Sequence, residues 1–537
     1  MATLPSTIIG LLSQSVLLIL YAGLTLPLVI IITDYIDGWC KRRELGNIPI
    51  VDEGSNMCRL LRWKNRPFDP EKEYRNAYEK HSKNGVPYAA RIQHDDYANA
   101  LPPSSAKEWR AMGHEQLSVL HALSEFADLW PRMNVVLWTP VEAVHSCNNE
   151  FTLKKFQSSL AAETEKHLHP VFNPGGDDEW TELNTLRRVF SATSASATSL
   201  ILGANHDTAE ITALSMGHND GIMPSRVVRS SYPRILRPLV WRFAPTCREL
   251  QSNAARLRKL MIPEINRRVE RIRAGNTPSN EENSSFSLLD VLIEATFKNG
   301  TLSRTKRKEN EDELVDIIFQ PTGMNVVFML YTIMNNPEYI APLREEWTEA
   351  VNRCSGDWTL DILSHAPKLD SFSKETFRYH DLSYFVGLRR VMQPLHLNSL
   401  HLPLKEGTLI MTPCRAVYHD PEIYTDPSTF NGSRFYDAIT NTCTPKVFTS
   451  SPTFLTFSHG LGTCPARILA TQIARMVFGN ILQTYSIELA HEEMPEWSRM
   501  DPSGAIYFRI RRLICVLGVK GRGRARPLED ISYGRTQ

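Results

Sequence analysis

The sequence of 537 residues predicts a mainly α-helical protein preceded by a transmembrane helix, and three stretches carry this prediction. Residues 8–32 form an apolar run, and residues 115–273 show apolar side chains at three- and four-residue spacing. Residues 313–336 are the pattern of one long apolar helix that ends before a proline. Apolar residues make up 42% of the chain and charged residues 22%, as in a globular protein with a large core.

The apolar run predicts a membrane anchor. The first charged side chain is Asp34, and the stretch before it is longer than the ~20 residues that a helix needs to cross a bilayer. No cleavage site of a secretory signal follows it, and residues 41–43 are basic, which favours a cytosolic main domain. We therefore expect a single-pass anchor in the endoplasmic reticulum membrane over residues 1–36, a linker over 37–70 and one main domain over 71–537.

Charge and cysteine content exclude two classes of protein. The formal net charge is +1, so no basic surface for nucleic acid is expected. The nine cysteines are odd in number and lack paired spacing, which argues against a disulfide framework and favours a reducing compartment. An amphipathic helix is expected over residues 71–83, where the main domain begins.

Residues 456–470 contain the cysteine around which the rest of the chain is organised. Phe457 and Gly460 precede Cys464 by seven and four residues, and Pro465 with an Ala-rich apolar run follows it. This pattern predicts a thiolate in a tight loop at a helix N-terminus, with Pro465 as the first helical residue and the pKa of Cys464 lowered by the helix dipole. Gly460 would allow a flat cofactor to approach the loop closely. A buried structural cysteine is the alternative.

The spacing Phe457-x-x-Gly460-x-x-x-Cys464-Pro-x-Arg467 resembles the haem-binding loop of the cytochromes P-450. The resemblance implies that Cys464 is the axial thiolate ligand of the iron in haem (iron protoporphyrin IX), with Phe457 and Gly460 among the cofactor-binding residues. It also implies a mainly α (α+β) fold, in which a helix-rich haem-thiolate domain carries a small β-rich region.

Three further segments agree with this family in order and spacing. Glu375 and Arg378 resemble its Glu-x-x-Arg helix, and Arg434 resembles the arginine that joins this pair. The shared carboxylate is expected to have a structural role, because it holds the cysteine loop in position. Residues 387–391, followed by 394–397, look like the strand pair beside the substrate. Arg390 is our candidate for the arginine that meets a haem propionate there.

The sequence departs from the family pattern at two places. The acid and threonine that most relatives carry on their long central helix correspond to Gln320 and Pro321, and Thr322 follows. Protons would then come from Thr322, from Gln320 through water, or from a hydroxyl group of the substrate; alternatively, Pro321 only shapes the groove. At the position two residues before the cysteine, the family usually has an Arg or a His, and this sequence has Gly462. The loss of that cation removes a charge-assisted hydrogen bond typically worth about 1.5 to 3 kcal/mol.

The resemblance implies a monooxygenase that oxidises an apolar small molecule. The sequences of residues 337–346 and 430–435 are most similar to those of fungal enzymes of secondary metabolism. This similarity suggests a terpenoid or related substrate. No dinucleotide-binding fingerprint is evident, so electrons would come from a separate NADPH-cytochrome P-450 reductase. Two alternatives stay open: a rearrangement, dehydration or peroxide-type reaction that needs no delivered protons, and a degenerate haem protein without catalysis.

Overall fold

The computed structural model describes the chain in segments, most of them after residue 69. The described residues are 25, 28–29, 31–33, 35–36, 39–40, 43, 45, 48–51, 70–93, 96–119, 121–122, 163–164, 166–168, 181–203, 208–230, 232, 234–274, 287–298, 322–354, 361–380, 384–464, 466–489 and 507–512.

Helices dominate the described part of the chain, which confirms the prediction of a mainly helical protein. In chain order they are α1 (Pro70–Lys80), α2 (Ala106–Trp109), α3 (Thr185–Leu202), α4 (Ala209–Ser230), α5 (Arg237–Phe243), α6 (Pro245–Arg273), α7 (Leu288–Lys298), α8 (Thr322–Asn335), α9 (Ile340–Arg353), α10 (Asp361–Ser364), α11 (Pro367–His380), α12 (Cys414–Tyr418) and α13 (Arg467–Thr484). The first amphipathic helix is therefore α1, at the start of the main domain as expected.

Twelve short strands form the β-rich part of the described chain. They are β1 (Tyr88–Gln93), β2 (Asp96–Ala100), β3 (Leu117–Ser118), β4 (Thr181–Asn184), β5 (Val386–Val391), β6 (Leu395–Leu397), β7 (Leu402–Leu404), β8 (Leu409–Thr412), β9 (Tyr436–Asp437), β10 (Thr442–Cys443), β11 (Tyr485–Leu489) and β12 (Tyr507–Arg512). The largest sheet has the order β1-β2-β8-β5-β3, in which β2 and β8 are parallel.

Residues 387–391 and 394–397 were expected to form one strand pair, and this expectation was wrong. Both stretches are extended, as β5 and β6, but β5 pairs with β3 and β8 in the five-stranded sheet. β6 instead pairs with β7 in a separate hairpin. The chain turns between the two strands, so a short sequence gap between them did not imply pairing.

The main hydrophobic core lies where α8, α9, α11 and α13 meet. Phe372 of α11 stacks on Phe478 of α13, with ring centroids 5.8 Å apart. The next residue of α13, Gly479, lies against the Trp347 ring of α9, where a Cβ atom would come within 2.4 Å of the indole. Trp347 is only 1% exposed. This core supports both α11 and α13, and α13 begins three residues after Cys464.

A second core joins α3, α4, α6 and α7 around one buried arginine. Arg268 of α6 donates to the carbonyl oxygen of Leu202 at 2.5 Å, to Glu264 at 2.6 Å and to Asp290 of α7 at 3.2 Å. Its side chain is only 4% exposed. These charge-assisted bonds tie the ends of three helices together.

The predicted long apolar helix begins at Thr322 in the described chain, as α8. Gly323 lies so close to Phe190 of α3 that an added Cβ would come within 2.7 Å of its ring. Gln320 and Pro321 fall outside the described residues, and so does the expected kink at Pro321. Among the described residues, no helix is both long and apolar enough to cross a bilayer; most of residues 1–36 are not among them.

Candidate cofactor site around Cys464

The loop that carries Cys464 is closed by backbone hydrogen bonds. The Cys464 N–H donates to the carbonyl oxygen of Phe457 at 2.8 Å, and the Thr463 N–H donates to that of Gly460 at 3.0 Å. Helix α13 begins at Arg467, two residues later than the sequence predicted, and Pro465 lies outside the described residues. The loop nevertheless presents the cysteine immediately before a helix N-terminus, as expected.

The electrostatic environment of Cys464 differs from the prediction. Burial raises the pKa of the thiol, although backbone hydrogen bonds from Ala466 and Arg467 and the charge of Arg467 act in the opposite direction. The expectation of a lowered pKa was therefore wrong, because it counted the helix N-terminus and left out the cost of burying a thiolate. A coordinated metal ion removes the proton of a thiol outright, so such a site suits a ligand whose charge forms only on binding.

Gly460 also makes a close backbone contact that the sequence did not predict. Gly460 has a φ of +72°, and an added Cβ would lie 2.1 Å from the carbonyl oxygen of Arg110. The same oxygen accepts a hydrogen bond from the Leu461 N–H at 2.8 Å. Glycine is therefore required at this position because the chain after α2 packs onto the loop and because the φ of the residue is positive.

Gly462 stands where the family pattern has a cation, and an arginine from another strand fills the space beside it. A Cβ added to Gly462 would lie 2.8 Å from Nη2 of Arg389 and 2.6 Å from Cγ2 of Val119. Arg389 is on β5, and its guanidinium group donates to the carbonyl oxygen of His459 at 2.5 Å. The positive charge missing from the loop sequence is therefore present in the folded site.

The charge of Arg389 has no described counterion. The residue is 1% exposed, and its Nε and Nη1 atoms have no hydrogen-bond partner among the residues that the structure describes. Its guanidinium lies over the Trp109 ring, with Cζ 4.7 Å from the ring centroid. Burial lowers the pKa of Arg389 to about 10. Unpaired buried donors are expensive, so this group is suited to an anionic ligand.

Arg390, the residue chosen from the sequence, is the neighbour of this group and is only half-buried. Successive residues of a strand point to opposite faces, so only one of the two arginines reaches the loop. The apolar residue Val391 could have indicated which one. It is fully buried and lies two residues after Arg389, so both side chains point to the buried face of the strand. Sequence reasoning missed Arg389 by one position.

Glu375 is shared by two arginines, as the motif order suggested. Arg378 donates to both carboxylate oxygens at 2.8 Å, and Arg434 donates to Oε2 at 3.0 Å. The Asn431 N–H adds a bond of 3.1 Å, and Arg378 also donates to the Tyr418 carbonyl at 2.7 Å. Glu375 and Arg378 are fully buried. Every bond is charge-assisted, so the cluster fixes α11 against the end of α12 and against the loop that contains Asn431 and Arg434.

Phe457 connects the cysteine loop to the helix that carries this cluster. Its ring packs edge-to-face on Phe377 of α11, with centroids 6.2 Å apart and an interplanar angle of 88°. Such pairs contribute beyond their buried area. Thr322 is the first residue of α8, but Gln320 lies outside the described residues, so the geometry of the expected proton-delivery residues is not defined.

Comparison with known proteins shows the family of this chain. Residues 147–512 match the family model described as Cytochrome P450. The chain is 53% identical to bicoumarin synthase desC of Aspergillus desertorum over 90% of this chain and 93% of that protein. It is 45% identical to the cytochrome P450 monooxygenase afvE of Aspergillus flavus over 85% of this chain and 98% of that protein. Bicoumarin synthase ktnC of Aspergillus niger is 46% identical over 72% of this chain and 96% of that protein.

The fold and the cysteine loop define a haem-thiolate oxidoreductase, a class in which iron protoporphyrin IX is the cofactor. This chain belongs to the cytochrome P450 family and is a monooxygenase of that family. The described residues fit the cofactor: haem carries two propionate carboxylates, and the unpaired N–H groups of Arg389 beside the loop are donors for such a group.

Proposed function

We propose that this enzyme couples two molecules of a phenolic coumarin into a bicoumarin. The observation that supports this proposal is its similarity to two proteins named bicoumarin synthases, over 90% and 72% of the chain. A bicoumarin is two coumarin units joined by a bond. As the substrate, we therefore prefer a hydroxylated coumarin to the terpenoid that the sequence comparison of two segments suggested.

The reaction balances as a two-electron oxidation of the pair of substrates. Two aryl C–H bonds break and one C–C bond forms, with release of two protons and two electrons. Dioxygen accepts these together with two more electrons and two more protons, and two water molecules result. We propose that the second pair of electrons comes from NADPH through a separate cytochrome P450 reductase, in keeping with the absence of a dinucleotide fingerprint in the sequence.

We assign the cofactor contacts to residues on three segments. Cys464 supplies the thiolate that holds the haem iron, and this ligand favours cleavage of the O–O bond when haem is bound. Arg389 neutralises a propionate, while Phe457 and Gly460 shape the loop. Glu375, Arg378 and Arg434 hold α11 and its neighbouring loops in place. The assignment to Arg389 replaces the one made to Arg390.

A phenolic substrate also fits the departure at Pro321. Three proton sources were left open by the sequence: Thr322, Gln320 through water, and a hydroxyl group of the substrate. A hydroxycoumarin brings its own acidic hydroxyl group into the site. We propose that this hydroxyl group helps to deliver protons, which is the role of the threonine in most relatives.

We further propose that residues 1–36 anchor the enzyme in the endoplasmic reticulum membrane, with the catalytic domain in the cytosol. The uncharged run before Asp34 and the basic residues 41–43 support this orientation. The full chain should resist extraction by alkaline carbonate, whereas a chain without residues 1–36 should be released. Release of the full chain by carbonate would refute the anchor.

Reconstitution of the purified chain tests the coupling activity. Full-length enzyme, a fungal P450 reductase, NADPH and a panel of hydroxycoumarins should give a product of twice the monomer mass less two hydrogens. Cys464→Ala should abolish the product and the thiolate-type Soret band of the reduced carbon monoxide complex. The product should also need the reductase; formation with hydrogen peroxide alone would favour the peroxide-type alternative. Products that contain only an added oxygen atom would refute coupling.

A further inference from the structure

His459 lies in the cysteine loop and has one ring nitrogen engaged and one without a partner. The residue is 8% exposed. Its Nδ1 is 3.2 Å from Oγ of Ser450, and the Ser450 hydroxyl itself donates to the carbonyl oxygen of Ser458. Because that hydroxyl hydrogen is already used, Nδ1 must carry the proton and donate to Oγ. Nε2 is then an acceptor without a proton, and it has no hydrogen-bond partner in the described part of the chain.

The groups around His459 leave this nitrogen in a positive and partly apolar environment. The Trp109 ring meets the imidazole edge-to-face, with centroids 6.3 Å apart. Arg389 donates to the His459 carbonyl oxygen, and Arg110 is the second nearby cation. Burial, together with these two charges, lowers the pKa of His459. Two neighbouring side chains, Arg389 and His459, thus carry buried nitrogen atoms that lack partners.

We propose that His459, protonated at Nε2, is a second hydrogen-bond donor to a haem propionate, beside Arg389, in place of the cation missing at Gly462. A carboxylate cannot pair with a bare Nε2, since both are acceptors. Ser450 holds the other proton on Nδ1, so the contact requires the imidazolium form. His459 therefore takes up one proton from solvent when the contact forms. The carboxylate stabilises the imidazolium charge, which burial and the two nearby arginines disfavour.

This inference rests on the family's cofactor and not on the substrate. It concerns only how the loop holds the porphyrin, so failure to find bicoumarin products leaves it standing. Because the imidazolium form is lost as pH rises, haem should be held progressively less well above the pKa of His459 in the haem-bound enzyme. An arginine or lysine at the same position would not lose its charge in this range.

The test measures haem transfer from the full-length holoenzyme to excess apomyoglobin from about pH 6 to about pH 9. At low pH, His459→Gln should lose haem about tenfold to a hundredfold faster than the wild type, as expected for loss of a charge-assisted bond. The ratio of the two rates should fall towards one as pH rises. His459→Lys should release haem slowly over the whole range, and exposed His365→Gln should behave as the wild type.

The same measurement can overturn the proposal. Equal rates for the wild type and His459→Gln at every pH would show that His459 does not contact the cofactor. A faster rate for His459→Gln with a ratio independent of pH would exclude the charged form. If His459→Gln takes up no haem, His459→Lys decides: recovery of haem supports the proposal, and failure shows that the histidine is needed only for folding.

Discussion

Arg389 carries a buried charge that has no counterion among the described residues. Its guanidinium group lies beside the cysteine loop, in the space left by Gly462, and its Nε and Nη1 atoms have no partner among the described residues. A buried cation without a counterion destabilises a protein, and the same cation stabilises a complex with an anion. In the proposed site, Arg389 would thus favour cofactor binding at the expense of the stability of the free protein.

Arg389→Gln should weaken haem binding by about 1.5 to 3 kcal/mol, the range for a hydrogen bond to a charged group. The measurement is haem content per polypeptide, together with the rate of haem transfer to apomyoglobin. Arg390→Gln is the matched control, because it removes the same charge from the neighbouring half-buried position. Equal haem loss in the two variants would contradict the assignment to Arg389.

Sequence alone located Cys464 because its signal is local: a phenylalanine, a glycine, a proline and an arginine at fixed spacing. Arg389 was missed by one residue because a strand gives alternation but not its phase. The phase depends on β3 and β8, which pair with β5 from distant parts of the chain. The predicted direction of the pKa shift of Cys464 was wrong for a similar reason, since burial is a property of the whole fold.

At the scale of secondary-structure elements, one carboxylate joins a helix to the loop that contains Asn431 and Arg434. Glu375 of α11 accepts from Arg378 and Arg434, while Arg434 also donates to the Thr425 and Thr429 carbonyls. The pairing could be expected from the sequence, since residues three apart on a helix are neighbours. The backbone contacts could not, because they need the path of residues 425–434 in three dimensions.

Glu375→Gln should lower the free energy of unfolding by about 3 to 5 kcal/mol, because two buried guanidinium groups lose their shared counterion. The readout is the thermal midpoint by circular dichroism, with retention of the haem Soret band. Glu349→Gln is the control: it breaks an exposed pair with Arg353 at 3.8 Å and should change stability by about 1 kcal/mol or less. Similar midpoints for the two variants would show that the cluster is not structural.

The junction of α6 and α7 should make stability sensitive to acid. Burial opposes ionisation of Glu264, but hydrogen bonds and charges from Arg267 and Arg268 prevail and lower its pKa from 4.5 to about 2. A carboxyl group with a lowered folded pKa stabilises above its unfolded pKa, and this contribution disappears as pH falls through the folded value.

The thermal midpoint of the wild type should therefore exceed that of Glu264→Gln at neutral pH. The difference should shrink as pH falls from 4.5 towards 2, the interval between the two pKa values of Glu264. Differential scanning calorimetry at several pH values measures it. A difference that stays constant with pH would mean that the charge of Glu264 is not what stabilises the junction.

At the scale of the whole molecule, the cofactor site is assembled from segments far apart in sequence. Trp109 and Val119 come from the first quarter of the chain, Arg389 from β5, and Cys464 from the loop before α13. The sequence predicted the helix-rich class and the order of the motifs. It did not predict that Arg110 packs on Gly460, because no local pattern encodes a contact between such distant residues.

Haem removal should consequently destabilise the entire domain and not only the loop. A ligand that binds only the folded form stabilises it by about 4 kcal/mol at a thousandfold excess over its dissociation constant. The thermal midpoint of haem-free protein should lie well below that of the holoenzyme. Arg389→Gln should narrow this gap, while Arg390→Gln should keep it. Equal midpoints with and without haem would show that the described fold does not depend on the cofactor.

The contacts of Glu375 also set a rule for recombining this enzyme with its relatives. Because this one carboxylate contacts Arg378, Arg434 and the Asn431 amide, residues 367–435 behave as one exchangeable block. A crossover inside that block would combine a helix from one parent with loops from another. Crossovers placed on either side of it keep all partners from the same parent, and libraries built in this way should yield more coloured, haem-loaded clones.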